Sequence, residues 1–384
     1  MLSIPYISLP YIIFEKCLPW RDNKYITIDG WGNFATLEWP SKFDNEEDKL
    51  ELKEITKFPS QRISPGYFYA QPETGLIWAQ ASMKFLCYSV DIKKTCDFIP
   101  VISWSCWIEF VNSFSNEDLL FSYCYDSHHS EGIKCIKNYK YNLTDKKLEI
   151  YENGDFSEVF LWKQLESRSK YFLAYEFNIV DETHKYEKFF FFNLNTKEKK
   201  KNELTEVLSE NLFNANIKLH IKGFSFKHRK LISDHSSLSD NCPIMIMWDD
   251  NYENVKVYPL KLLAPKDKKL KIWSVSDDCK WLFVLISYYT GLYGETLYKT
   301  GFIKISDEYP TFTSPLIISD DYVNISCLRN TSFIEHPKYG SCLLVSYEPS
   351  SNSKEKKECR LYKMKDIEKL IQEYFLQQTK KIIK

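Results

Sequence analysis

The side chains best suited to chemistry lie close together in the segment Asp126–Glu131, DSHHSE in one-letter code. Two imidazoles beside two carboxylates are ligand types for zinc or another divalent metal ion. The two histidines are adjacent, however, and neighbouring residues on an extended chain point to opposite sides. Because the segment also separates two strand-like runs, we interpret it as a polar turn and not as a metal site.

A second group comprises His228 and His235 with Asp234 and Asp240, within a long polar stretch. Long connections carry function more often than short ones, but this histidine spacing matches no standard metal motif. No glycine-rich phosphate-binding motif occurs, and with only 11 glycines in 384 residues such loops are scarce. The sequence therefore predicts no catalytic set, no metal and no cofactor.

The clearest structural pattern lies between Lys271 and Ile305. Lys271–Val275 alternates apolar and polar residues, a turn cluster follows at Ser276–Lys280, and Trp281–Ile286 is an apolar run. Leu297–Ile305 alternates again. Alternation indicates a strand with one buried face, and a short apolar run between turns fits a strand buried on both faces. We predict three antiparallel strands, which cannot bury their faces without stacked copies.

Similar units recur along the chain at a spacing of roughly 50 residues, which is typical of propeller blades. Their first strands begin near Tyr25, Gly66, Ser103, Val159, Ile217, Lys271 and Val323. In the fifth unit, Lys227–Asn241 is predicted to be a polar connection. The pattern predicts an all-β protein, a β-propeller with seven blades. Six or eight blades and a pair of stacked β-sandwiches remain open alternatives.

The sequence Val275–Val284 resembles the S-P-D-G-K-x-L turn and strand of TolB-like and WD40-like propeller repeats, and is similar to the propeller domain of prolyl oligopeptidases. Asp277 stands where that pattern has proline, and Cys279 where it has glycine. The resemblance implies architecture and not activity. Oligopeptidases add a hydrolase domain with a Gly-x-Ser-x-Gly turn, and this chain has no such sequence, so no peptidase residue is carried over.

The predicted domains are a propeller over residues 1–364 and a C-terminal helix over 365–384. Met1–Trp20 is expected to supply a strand that completes the last blade, and Asn202–Leu212 has helical character. In the C-terminal segment Asp366 is a candidate N-cap. The apolar residues at helical spacing form one face, which is predicted to pack on the propeller or to bind a partner: Ile367, Leu370, Ile371, Tyr374 and Phe375.

Composition limits the class of partner. The formal net charge of −1 argues against nucleic-acid binding, which requires a basic excess. Eleven cysteines without regular spacing are typical of reduced core residues in a cytosolic protein. The apolar N-terminus lacks the basic start of a signal peptide, and no run is long enough to span a bilayer. We expect a cytoplasmic protein whose partners are other proteins.

Aromatic residues near predicted turns are the remaining functional signal. Such residues form hot spots of protein interfaces, and they also fill the space between blades; both interpretations stay open. The candidate interface residues outside the helix are Trp31, Tyr67, Tyr288, Tyr289 and Tyr293. The sequence favours a non-enzymatic protein-interaction scaffold. The alternative is an enzyme or small-ligand binder at the mouth of the central channel, where turn carboxylates would meet: Asp29, Asp126, Asp249, Asp250 and Asp277.

Overall fold

A computed structural model describes about two thirds of the chain. The described residues are 4–11, 14, 16–29, 32–39, 51–57, 63–81, 84–100, 106–108, 112–113, 118–126, 134–145, 147–150, 159–164, 171–179, 185–193, 195–196, 198–199, 219–225, 227–235, 243–252, 254–260, 262, 268–289, 296–306, 313–324, 328–348 and 357–382.

Within these ranges the strands form seven separate antiparallel sheets, which we number as blades in chain order. Blade 1 comprises β2 (Lys16–Pro19), β3 (Tyr25–Ile28), β4 (Asn33–Glu38) and β5 (Glu51–Lys57). Blade 2 comprises β6 (Ile63–Gln71), β7 (Leu76–Ala81), β8 (Lys84–Ser89) and β9 (Lys94–Pro100). Blade 3 comprises β10 (Cys106–Ile108), β11 (Asn112–Ser113), β12 (Asp118–Asp126), β13 (Lys134–Asn142) and β14 (Leu148–Ile150).

The remaining blades repeat the same four-stranded meander. Blade 4 comprises β15 (Val159–Gln164), β16 (Tyr171–Ile179), β17 (Lys185–Asn193) and β18 (Glu198–Lys199). Blade 5 comprises β19 (Leu219–Ser225), β20 (Lys230–His235), β21 (Ile244–Met247) and β22 (Lys256–Pro259). Blade 6 comprises β23 (Leu270–Val275), β24 (Trp281–Tyr289), β25 (Thr296–Lys304) and β26 (Ile317–Asn324).

Blade 7 joins the two ends of the chain. It contains β27 (Leu328–His336), β28 (Gly340–Tyr347) and β29 (Glu358–Lys363), and its fourth strand is β1 (Ile7–Leu9). β1 runs antiparallel to β29, with Ile7 opposite Leu361 and Leu9 opposite Cys359. The N-terminal strand therefore occupies the outer edge of a sheet whose other three strands come from the C-terminal part.

Each blade contacts the next, so the sheets close into a ring. Blades 1 and 2 share an apolar cluster in which Phe34 and Tyr88 pack at 4.8 Å between ring centroids. Trp78 meets Tyr141 between blades 2 and 3, β12 contacts β15 between blades 3 and 4, and Phe191 meets Trp248 between blades 4 and 5. Apolar clusters join blades 5 to 6, 6 to 7 and 7 to 1. The prediction of an all-β propeller is confirmed.

The turn between β23 and β24 explains the repeat signature. The Ser276 hydroxyl donates to Asp278 at 2.5 Å and accepts from the backbone N–H groups of Lys280 and Trp281, at 3.1 and 2.9 Å. Cys279, where related repeats have glycine, has a φ of 56°. That left-handed conformation favours glycine. The Cys279 side chain is buried, and its sulfur lies 3.8 Å from the Lys230 carbonyl oxygen. Cys279 therefore combines a strained backbone with a buried side chain.

Two strand predictions are wrong. Lys227–Asn241, expected to be a polar connection, contains β20 over Lys230–His235. The seventh unit was expected to begin with a strand at Val323–Leu328, but β26 ends at Asn324 and the inner strand β27 runs over Leu328–His336. Both missed strands are rich in polar and charged residues. β27 is the innermost strand of blade 7 and has one edge toward the open centre of the propeller, whereas β20 lies between β19 and β21.

The C-terminal helix α1 comprises Met364–Ile382. It begins two residues before the predicted cap, so Asp366 lies in the first turn, where a carboxylate still interacts favourably with the helix dipole. Asp366 also pairs with Lys363 at 3.1 Å. The C-terminal helix prediction is confirmed. The predicted short helix at Asn202–Leu212 lies outside the described residues.

Candidate functional site

One end of the propeller carries the connections between the first and second strands of the blades; we call it the turn face. Its described connections include residues 20–24, 72–75, 227–229, 276–280 and 337–339. Successive antiparallel strands alternate in direction, so the connections between third and fourth strands lie at this end as well. The turn face therefore combines inner and outer turns from several blades, which is where binding sites form on a propeller.

A cleft of about 420 Å³ opens on the turn face between blades 1 and 2. The inner turn of blade 1 contributes Trp20, Arg21 and Lys24, the outer half of that blade contributes Glu38 and Lys53, and an outer turn of blade 2 contributes Lys93. The Arg21 guanidinium donates to the Asp91 carboxylate at 2.8 Å and to the Pro72 carbonyl oxygen. Arg21 thus ties the two blades together beside the cleft.

Three carboxylates approach one another on the same face, at the junction of blades 6 and 7. Asp277 is accessible to water yet closely surrounded by protein, and this desolvation, followed by the charges of Asp278 and Glu335, raises its pKa. Desolvation is likewise the largest cause of the raised pKa of Glu335, and Asp278 adds to it. The Glu335 backbone N–H donates to the Tyr25 hydroxyl at 2.6 Å, which joins this junction to blade 1. The ring therefore holds these negative charges at a cost to stability.

Replacing Asp277 with asparagine is expected to raise the stability of the protein slightly at neutral pH. A carboxyl whose pKa is raised on folding binds its proton more tightly in the native state, so its stabilising influence fades as the pH rises through the native pKa. The advantage of Asp277→Asn should vanish below its ordinary pKa of 3.8, where both states are protonated. Thermal midpoints of the variant and the wild type, at neutral pH and near pH 3, measure this difference in stability.

The matched control for that measurement is Asp250→Asn. Asp250 forms an ion pair with Arg229, so removing its charge is expected to give no gain at neutral pH. An Asp277→Asn protein that melts below the wild type at neutral pH, or whose gain persists in acid, would contradict the account of the carboxylate group.

The other turn carboxylates mostly serve their own turns. Asp29 accepts hydrogen bonds from the backbone and side chain of Asn33, at 2.9 and 2.6 Å, at the end opposite the turn face. Asp249 accepts from Asn251 at 3.1 Å and Asn254 at 2.5 Å. Asp126 ends β12, also opposite the turn face, and its neighbours 127–133 lie outside the described residues. The five carboxylates are thus distributed over both ends of the propeller.

Among the candidate aromatic residues outside α1, the structure describes the side chain of Tyr288. Trp31 and Tyr293 fall outside the described residues, and only the backbone of Tyr67, in β6, and of Tyr289, in β24, is described. The Tyr288 ring, near the end of β24 away from the turn face, is flanked by the ammonium groups of Lys268 and Lys299, at 4.5 and 5.9 Å. Their role as interface residues stays a prediction.

The candidate residues of α1 divide into two groups. Ile367 and Ile371 are buried in the cluster that joins blades 6 and 7, and Leu370 packs against it. Lys304 of β25 forms an ion pair with Glu368 on the same half of the helix. Beyond Ile371 the next six residues, 372–377, are all exposed, including Phe375 at 53%. The first half of α1 belongs to the fold, and the second half extends past it.

Within the described ranges no group of three histidine, cysteine, aspartate or glutamate side chains is arranged to hold a metal ion. The cysteines whose side chains are described are buried and form no disulfide: Cys17, Cys87, Cys279, Cys342 and Cys359. Burial raises the pKa of the Cys342 thiol to about 12, so it stays protonated and unreactive. No described helix is long and apolar enough to cross a membrane.

The cationic residues of the cleft were not predicted from the sequence. Lys24, Lys53 and Lys93 are separated by some thirty to forty residues and belong to no local motif. They come together only because neighbouring blades pack side by side, which places the outer strand of blade 1 beside an outer turn of blade 2. The nearest available signal was the aromatic residue Trp20, which ends the N-terminal segment that was expected to supply a strand.

Comparison with known proteins supports the fold. No protein-family model matches the chain, and no curated protein sequence does. Among solved structures it is similar to the β-propeller domain of Cps50 (Swd1) from Myceliophteria thermophila, with a TM-score of 0.52 and 8% identity over 94% of this chain and 99% of that one. At this identity the likeness shows the propeller fold alone.

Two further solved structures match with lower scores. The AfRom2 CNH domain has a TM-score of 0.44 and 12% identity, over 93% of this chain and 98% of that one. The β-propeller domain of the Trilobed protease from Pyrococcus furiosus has a TM-score of 0.43 and 10% identity, over 74% of this chain and 80% of that one.

Proposed function

We propose that this propeller is a non-enzymatic, cytoplasmic protein-interaction scaffold, and that the second half of α1, residues 372–380, binds the partner. The observation that carries the proposal is a run of three exposed apolar residues. Tyr374, Phe375 and Leu376 are 37%, 53% and 61% exposed, on a helix whose first half is firmly packed. Large apolar side chains exposed together indicate an interaction site.

The geometry of a helix defines what the partner must provide. Consecutive helical residues point about 100° apart, so three in a row cover more than half of the circumference. A flat surface would bury only one of them. We therefore propose a partner with an apolar groove that surrounds the helix, as in other helix-in-groove complexes. A short helix segment without tertiary contacts is marginal in water, so groove binding would also stabilise it.

The scaffold proposal is preferred over the enzyme alternative on chemical grounds. The pKa values of Asp277 and Glu335 are raised, as those of active-site groups often are. Within the described residues no metal-holding group accompanies these carboxylates, and burial raises the pKa of the Cys279 thiol beside Asp278, so that thiol is not activated. The five cysteines whose side chains are described are buried and form no disulfide, which supports a cytoplasmic location.

Site-specific photo-crosslinking tests the proposal directly. A photo-reactive phenylalanine analogue is placed at position 375 of the full chain and, as a matched control, at Ile92, an equally prominent exposed residue on blade 2 with 67% exposure. In lysate of the source cells, irradiation is expected to join position 375 to one discrete protein and to leave position 92 without that product. Phe375→Asp and Leu376→Asp together should abolish co-purification of the same protein.

Three outcomes would contradict the proposal: no discrete product from position 375, the same products from both positions, or a product that contains only a second copy of this chain. Co-sedimentation with anionic vesicles that the two aspartate substitutions abolish would reassign the helix to a lipid surface. This outcome must be checked because basic residues beside an apolar helix face favour an anionic lipid surface. The segment carries three: Lys380, Lys381 and Lys384.

A further inference from the structure

The cleft between blades 1 and 2 has the charge of an anion-binding site. We propose that it binds an acidic peptide segment, with Lys24, Lys53 and Lys93 contacting the peptide carboxylates. The cleft is a separate surface from α1, and the proposal does not depend on the function of that helix. It would give the scaffold a second binding site.

Positive charge exceeds negative charge inside the cleft, although the whole chain has a net charge of −1. Four lining residues are cationic and two are acidic: Arg21, Lys24, Lys53, Lys93, Asp22 and Glu38. Asp91, which pairs with Arg21 beside the cleft, adds a third negative charge, so the cations still exceed the carboxylates. The side chains of Arg21, Lys24 and Lys53 are 38%, 36% and 58% exposed, so a ligand can reach them. A local excess of this kind attracts anionic groups and orients them on binding.

Glu38 arranges two of the lysines. Its two carboxylate oxygens pair with different ammonium groups, one with Lys24 at 3.2 Å and the other with Lys53. Hydrogen bonding from Lys53, opposed by partial desolvation, gives a net lowering of the pKa of Glu38, which therefore stays ionised. Each ammonium has three N–H donors, so a lysine held by Glu38 can also donate to a ligand. Glu38 thus sets two positive charges side by side.

The backbone at the rim is held in an unusual conformation. Asp22 and Lys93 have φ values of 57° and 51°, and they are two of the five described non-glycine residues in the left-handed region. Such conformations are disfavoured for residues with a side chain and collect at binding sites. Hydrogen bonds from Trp20 to the Lys24 carbonyl, at 2.8 Å, and from Lys24 to the Arg21 carbonyl, at 3.1 Å, fix the inner turn. The cleft is therefore preformed on one side.

The dimensions favour a peptide over a nucleic acid. A cleft of about 420 Å³ accommodates a few side chains. Nucleic-acid binders follow the phosphate backbone with a long basic stripe, whereas these cations are confined to one blade junction. Trp20 adds an aromatic surface next to the Arg21 guanidinium, whose central carbon lies 5.7 Å from the ring centroid. A flexible chain that carries adjacent carboxylates fits this combination.

Fluorescence anisotropy on the full chain tests the site with three labelled probes: hexaglutamate, hexaglutamine and an oligothymidine of similar length. Hexaglutamate is expected to bind, hexaglutamine to bind far more weakly, and added salt to weaken hexaglutamate binding. Lys53→Gln with Lys93→Gln should raise the Kd for hexaglutamate about tenfold. The matched control, Lys227→Gln with Lys256→Gln, removes two exposed lysines of blade 5 and should leave the Kd unchanged.

Several results would overturn the assignment. One is the absence of hexaglutamate binding, and another is equal weakening by the cleft and blade 5 substitutions, which would indicate non-specific attraction. Tighter binding of oligothymidine, lost in the cleft variant, would reassign the cleft to a nucleic acid. Equal thermal midpoints of the two variants show that a change in Kd reflects the cleft and not unfolding.

Discussion

Replacing Gly223 with alanine is expected to lower the free energy of unfolding by about 3 kcal/mol. Gly223 lies at an irregularity in the inner strand β19, where the register shifts between Ile221 and Gly223. The inner strand of blade 6 approaches so closely there that an added methyl group would lie 2.7 Å from the Val275 Cβ. No rotamer of Val275 relieves that contact, because it involves an atom fixed to the backbone. The inner strands would have to move apart.

Gly340→Ala is the control for this prediction. Gly340 has a φ of 71°, but an added methyl group there meets no atom within 4 Å. The substitution therefore tests backbone strain alone and should cost about 1–2 kcal/mol. Urea denaturation of the two variants separates the effects. A Gly223→Ala protein that unfolds at the same urea concentration as the wild type would show that blades 5 and 6 are not in such close contact.

Replacing Ile367 with alanine is expected to cost about 3 kcal/mol, whereas replacing Leu376 with alanine should change stability by less than about 0.5 kcal/mol. Ile367 is 0% exposed in the cluster that joins blades 6 and 7, where it packs near Phe302 and Tyr362. Removing its side chain leaves a cavity there. Leu376 lies on the same helix but is 61% exposed.

The same denaturation experiment compares the two helix variants. Equal losses at both positions would mean that the second half of α1 packs on the propeller. If neither substitution changes the free energy of unfolding, the helix does not stabilise the propeller. Either result would remove the distinction between a structural half and a binding half.

The sequence predicted the blades best where strand pattern and turn chemistry agreed. In blade 6 the alternation around Ile272, the apolar run from Trp281 and the serine-containing turn all indicated the same unit, and β23, β24 and β25 are found there. β20 was missed because Lys230, Ser233 and Asp234 resemble a loop. Its first residues are nevertheless buried, since the polar groups lie between two neighbouring strands.

The candidate sites were less predictable because they form between units. The periodicity of α1 identified its apolar face, but the point at which the propeller surface ends beneath the helix, near Ile371, depends on the size of blades 6 and 7. The cleft and the carboxylate group at Glu335 likewise arise where turns of different blades meet. Such sites have no local signature, and their composition follows from the closure of the ring.

Hydrogen–deuterium exchange along α1 tests the central claim most directly. In the isolated protein, amides of residues 368–371 are expected to exchange slowly and those of 373–380 quickly, because only the first half has tertiary contacts. Adding the partner identified by crosslinking at position 375 should slow exchange in the second half selectively. Uniform protection of the whole helix in the isolated protein, or unchanged exchange after the partner is added, would contradict the assignment of this segment as the binding element.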